Sequence, residues 1–130
     1  MGTKLYNLPH VVELLPPASV TADGNGAWID TKLYEGVLGF IIHAKNTAGT
    51  TPTLANKLVH SEDQSTVEDV PGGTFTTVTD ANTLASVVEK VEIQKNALKR
   101  YVRVAKDIGG TSSPAFLTSG VMVGHKKYDT

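Results

Sequence analysis

DANTLASVVEKVEIQKNALK, residues 80–99, decides the fold class, because no other stretch of the 130-residue chain has a serious claim to be an α-helix. Leu84, Val87, Val88 and Val91 fall at helical spacing, and Asp80 or Thr83 has the right side chain to cap a first turn. The residue types argue the other way. Val87, Val88, Val91 and Ile93 are β-branched, which costs χ1 freedom in a helix, and Val91-Glu92-Ile93-Gln94 alternates with period two. The reading is a strand from about Ser86, and with it the helical crossover that a parallel sheet would need disappears.

Working outward, the rest of the chain is short apolar runs separated by turn residues. Gly36-Val37-Leu38-Gly39-Phe40-Ile41-Ile42-His43-Ala44 is nearly continuous apolar sequence and predicts a central strand covered on both faces. Residues 53–61 alternate, with Leu54, Asn56, Leu58 and His60 in one register and Lys57 in the other. Ala22-Asp23-Gly24-Asn25-Gly26, between Val20-Thr21 and Ala27-Trp28-Ile29, predicts a hairpin turn. Residues 65–70, 74–79, 100–106 and 115–123 add further strands bounded by Gly, Pro, Asp or Asn. The fold class is therefore all-β: an antiparallel β-sandwich or jelly roll of about eight strands with little helix. Residues 1–13 form an N-terminal arm or edge strand, and residues 14–130 a single β-sandwich domain.

One loop design is used twice. AKNTAGTTPT begins at Ala44 and AKDIGGTSSPA at Ala105; each follows an apolar run, turns through Asn or Asp with Gly, and restarts on Thr/Ser-Pro. The expectation is two similar hairpins at one end of a sandwich, making a shared loop surface. The plainer alternative is that Gly-Thr-Pro turns recur in β proteins.

Composition narrows the function. Lys+Arg total 12 against Asp+Glu 13, a net charge of −1, which gives no electrostatic steering toward nucleic acid or an anionic membrane. No cysteine is present, so disulfides and thiolate metal sites are excluded and the fold rests on packing and hydrogen bonds. Pro9, His10, Glu13, Pro16 and Pro17 interrupt the apolar residues near the N-terminus, and the expectation is a soluble protein without a signal peptide or membrane span.

Candidate chemistry is thin. His43, His60, Glu62 and Asp63 carry ligand atoms, yet their spacing matches no metal motif, and the simpler reading of residues 60–63 is the polar end of a strand entering a turn. Asp23-Gly24-Asn25-Gly26 lacks the terminal Glu that a calcium loop requires. Lys95, Lys99, Arg100 and Arg103 with Tyr101 form a local basic cluster, but alternation puts Tyr101 and Arg103 on one strand face and Arg100, Val102 and Val104 on the other, which points to a solvated or salt-bridged face. The serines include no Gly-x-Ser-x-Gly elbow, and Gly72-Gly73-Thr74 is too short to cradle a phosphate. Neither catalysis nor a cofactor is expected.

Several stretches, taken together, resemble the small structural proteins of tailed bacteriophages, above all the head decoration or cement class. They are residues 19–30 (SVTADGNGAWID), Tyr34-Glu35-Gly36, residues 49–54 (GTTPTL), Ser61-Glu62-Asp63, residues 70–75 (VPGGTF) and residues 99–104 (KRYVRV). The resemblance runs from about Leu14 to Gly124. It implies a virion protein assembled in the host cytoplasm that binds the outer surface of a capsid, with the major capsid protein as partner and a homo-oligomeric (dimer or trimer) state. One departure is at residues 63–67, where such proteins carry Asp-Gly and an aromatic; Gln64 and Val67 here suggest a modified turn and a smaller core plug. The N-terminal residues Leu5, Tyr6, Leu8, Val11 and Val12 are the candidate interface, as an apolar, proline-stiffened arm laid across a neighbour. A tail or baseplate component is the alternative, and a carbohydrate-binding β-sandwich a more distant one, since Trp28 is the sole tryptophan and reads as core.

Overall fold

The computed structural model describes residues 9–79 and 86–126. Among the described residues the strands form one antiparallel sheet of eight, and a 3-10 turn at Lys95–Ala97 is the helical element. Two very long strands form its spine: β4 (Tyr34–Ser61) and β8 (Tyr101–Lys126), paired along almost their whole lengths from Tyr34 opposite Lys126 to Ser61 opposite Tyr101. The free edge of β8 carries β1 (His10–Val20), then β2 (Gly24–Asn25) and β3 (Ile29–Asp30). The free edge of β4 carries β5 (Glu68–Thr74), β6 (Val78–Thr79) and β7 (Val87–Gln94).

This four-pass sheet is folded over across its middle. Leu38, Phe40, Ile42 and Met122 from one half share a single core with Leu58, Val102 and Val104 from the other, joined by Leu14, Leu15, Phe75 and Ile93. The result is two layers, β7-β4-β8-β1 and β5/β6-β4-β8-β2/β3, built from the two halves of the same strands. The all-β antiparallel expectation holds, and residues 86–93 are strand, because Val91 and Ile93 alternate inward to the core while Lys90 and Glu92 face out.

The repeated loops are corrected by this architecture. They are not hairpins: both lie inside the long strands, facing each other, and they are the fold-over itself. The ladder slips three times in succession, through Asn46 opposite Phe116, Ala48 opposite Ala115, Thr50 opposite Thr111 and Thr53 opposite Gly109. Five residues there take positive φ: Gly49 (111°), Thr51 (46°), Gly110 (113°), Ser112 (60°) and Ser113 (55°). The two motifs also dovetail. A Cβ on Gly49 would stand 2.7 Å from the Pro114 Cα, and one on Gly110 would stand 2.8 Å from the Pro52 Cα, so each strand's glycine receives the other strand's proline. Proline, lacking an N–H, costs nothing where the ladder is already broken. Asn46 is buried beside the bend and its amide nitrogen donates to the carbonyls of Ala48 (2.9 Å) and Ala115 (3.0 Å), tying the two strands together. Inside the bend Ala44, Leu54, Val78 and Phe116 form a second small core.

Two further expectations change. Residues 22–26 are not a hairpin turn: β1, β2 and β3 run on in one direction along β8, and Asp23 accepts the Ile108 N–H at 2.7 Å as the chain steps from one layer to the other. A side chain at Gly26 would run into the Leu14 carbonyl, so close approach of the layers, not a reversal, selects glycine there. The stretch at residues 36–44 is central in the ladder but open on one face: Leu38, Phe40, Ile42 and Ala44 are buried while Val37 and His43 are exposed.

Gly49→Val is therefore expected to destabilise the protein by about 3 kcal/mol or more, since it combines a forbidden φ with a backbone collision. Gly36→Ala also forces a positive φ (75°), but a Cβ there meets nothing within 4 Å; it should cost only about 1–2 kcal/mol. Urea unfolding midpoints of the two variants, compared with wild type, check both.

Candidate interaction surface

With the layers packed against each other, each presents one face outward. On the β5/β6-β4-β8-β2/β3 layer, alternation along β8 turns Val102 and Val104 into the core and leaves Tyr101 and Arg103 outside. The guanidinium carbon of Arg103 sits 4.1 Å from the centroid of the Trp28 ring, and that of Arg100 sits 4.9 Å from the Tyr101 ring. Arg100 is held in turn by Asp30, donating from Nε at 3.3 Å and from a terminal nitrogen at 3.0 Å. The Arg100 donor lowers the pKa of the Asp30 carboxyl, its largest influence, against a smaller opposing effect of burial. Trp28, expected in the core, is instead half-buried beneath Arg103. Arg103 Nε is buried and has no hydrogen-bond partner among the described residues. The neighbouring strands add the exposed ion pair Lys57–Asp69 at 3.0 Å.

At the end opposite the bend, where the two layers part, connections cross between them and polar groups fasten them. Thr31 donates its backbone N–H and its hydroxyl to the Arg100 carbonyl, both at 2.8 Å. His60 is buried, and its Nδ1 accepts the Lys99 backbone N–H at 3.2 Å; the Lys99 ammonium bonds Glu68 at 2.9 Å. Burial, with the Lys99 charge adding to it, lowers the pKa of the His60 imidazole. In the adjoining turn Asp63 accepts the N–H groups of Thr66 and Ser65 and the Ser61 hydroxyl, which together lower its pKa.

The predicted residues are distributed as follows. Val11 and Val12 lie in β1, opposite Val123 and Met122 of the same chain, with Val11 outward and Val12 packed on the core; Leu5, Tyr6 and Leu8 lie outside the described residues. His43 faces solvent on the β7-β4-β8-β1 layer while His60 points into the core, so the structure does not bring these two together. Residues 60–63 do end a strand and enter a polar turn, as expected, although His60 itself is buried. Of the basic cluster, Lys99 and Arg100 are paired with Glu68 and Asp30. Gln64 takes φ 66°, the modified turn, but Val67 is exposed and plugs no core. The stacked Trp28–Arg103 pair was missed; its signal was the outward register of Arg103, since a half-buried indole beside an outward arginine favours a cation–π stack.

No protein-family model matches the sequence, and no curated protein matches it. Solved structures match in fold. A structure of the infectious bursal disease virus Gt strain superposes with a TM-score of 0.53 at 8% identity, covering 90% of this chain and 32% of the viral one. Dimeric latent PorU from Porphyromonas gingivalis gives 0.50 at 13% identity, covering 90% of this chain and 12% of PorU. The SPBc2 prophage-derived protein YomS gives 0.44 at 10% identity, covering 89% and 95%. The chain thus spans about a third of the virus protein it matches. At these identities the likeness is one of fold: a viral capsid protein contains this kind of β domain, and so does a protein that is not viral.

Because the folded state resists protonating His60, the unfolded chain takes up that proton first. Stability should be full above about pH 6.5 and decline as the pH falls through the depressed folded value. The urea midpoint of wild type is expected to drop between pH 7.5 and pH 5.5, and the drop should shrink in His60→Gln. Equal drops in both proteins would place the effect elsewhere.

Proposed function

We propose that this protein is a structural component of a virus particle, and more finely a decoration or cement protein bound to the outer surface of a tailed-phage capsid, where it clamps neighbouring copies of the major capsid protein. Its work is binding rather than chemistry. The observation that carries the reading is the prearranged Trp28, Arg103, Tyr101 and Arg100 surface. Tryptophan, tyrosine and arginine are the side chains that dominate binding energy at protein interfaces, and here they are fixed by stacking and by Asp30 before any partner arrives, which lowers the entropy lost on docking. Repetition over a shell then multiplies a modest affinity per site into durable attachment. The capsid-like fold and the sequence resemblance over residues 14–124 support the same assignment. A carbohydrate-binding role is disfavoured, because both candidate aromatic rings already have a guanidinium over one face.

The test is co-sedimentation of the purified protein with emptied heads and, separately, with tails of the phage that encodes it. Saturable pelleting with heads is expected, and Arg103→Glu should weaken it at least about tenfold while the fold is retained. Pelleting with tails alone would replace the decoration role by the tail or baseplate one, and pelleting with neither would end the virion reading.

A further inference from the structure

We propose that the outward face of the β7-β4-β8-β1 layer is a self-complementary interface through which two copies of this chain form a two-fold dimer. The proposal is independent of the virion reading and uses the face opposite the Trp28–Arg103 surface. The face leaves large apolar side chains in solvent among polar ones such as His43, Ser119 and Glu92: Val11 and Val88 are each 65% exposed, Leu117 49% and Val37 43%, with Ile41, Val121 and Val123 half-buried between them. The other layer lies on the far side of the sheet and cannot cover it.

What identifies the occupant is the order of charges across the strands. The ladder places Lys90 of β7 opposite Ile41 of β4, Ile41 opposite Val121 of β8, and Val121 opposite Glu13 of β1. This row reads cation, isoleucine, valine, anion, and its charged ends are three strand spacings apart, about 14 Å. A two-fold axis parallel to the strands and midway between β4 and β8 exchanges β7 with β1 and β4 with β8. It sets Lys90 of each copy against Glu13 of the second, and Ile41 against Val121, each contact made twice. The strands of the facing layers stay aligned, as in ordinary sheet packing.

Lys90 is free to make the exchange. Its present partner, Glu92, is 3.7 Å away with both side chains more than half exposed, and its aliphatic stem lies over Gly39, 3.9 Å from where a Cβ would be. Four strands over eight paired residues give a face of roughly 19 by 27 Å, so two copies cover about 1,000 Å², the lower bound for a specific interface.

Sedimentation equilibrium of the full chain over a wide concentration range, with Glu13→Lys, Lys90→Glu and the double variant alongside, tests this. A wild-type dimer is expected. Each single swap puts like charges face to face and should raise the dissociation constant about tenfold or more, and the double swap should bring it back to within about threefold of wild type. Both sites are exposed, and circular dichroism verifies that each variant is folded. A wild-type protein that stays monomeric at every concentration overturns the proposal, as does a dimer that neither single swap weakens or that the double swap fails to restore.

Discussion

The structure depends on one constraint: a paired ribbon of β4 and β8 has to be creased sharply enough for its two halves to face each other. A regular antiparallel ladder resists this, because it twists and coils smoothly and its hydrogen bonds have no slack. The crease is made by spoiling the ladder on both strands at the same level. Gly49 with Pro52 on one strand, and Gly110 with Ser112, Ser113 and Pro114 on the other, supply left-handed backbone and missing donors. Each glycine takes the other strand's proline, so the two bends pack into each other at one level. The repetition of AKNTAGTTPT in AKDIGGTSSPA is explained by this pairing.

Once the crease is set, the remaining features follow from closing the opposite end. Two layers made from the same strands share a core along their length, but where the ribbon ends they would splay. Thr31, His60 and Lys99 form the latch there, using backbone donors and acceptors that the ladder no longer occupies. A buried histidine serves as an acceptor in that latch only while its imidazole is neutral.

Composition and alternation made much of this legible. The strand from about Ser86, the common register of Leu54, Asn56, Leu58 and His60, and the separation of Tyr101 and Arg103 from Val102 and Val104 all read correctly, because side-chain period records which residues share a face. What failed was connectivity. Gly, Pro and Asn mark a departure from regular strand, but the same residues serve a reversal, a crease or a step between layers, and only the pairing partner tells them apart. Hence residues 22–26 and both repeated motifs looked like hairpins. The eight-strand estimate matched in number while its members differed: two predicted pairs were fused into single strands, and short edge pieces made up the difference. The Trp28–Arg103 surface was half legible, since the register of Arg103 was read but its distant stacking partner was not.

The spine has a temporal consequence as well. Its nearest ladder partners are Ser61 and Tyr101, and its farthest paired residues are Tyr34 and Lys126, so almost no pairing along it is local. Such a topology folds slowly, because loop closure precedes any reward. On the ribosome, β4 has no strand to lie against on its inner side until residues 101–126 have emerged. Until then β4 has only its outer edge to pair, with β5, β6 and β7, and the edge that will meet β8 stays open.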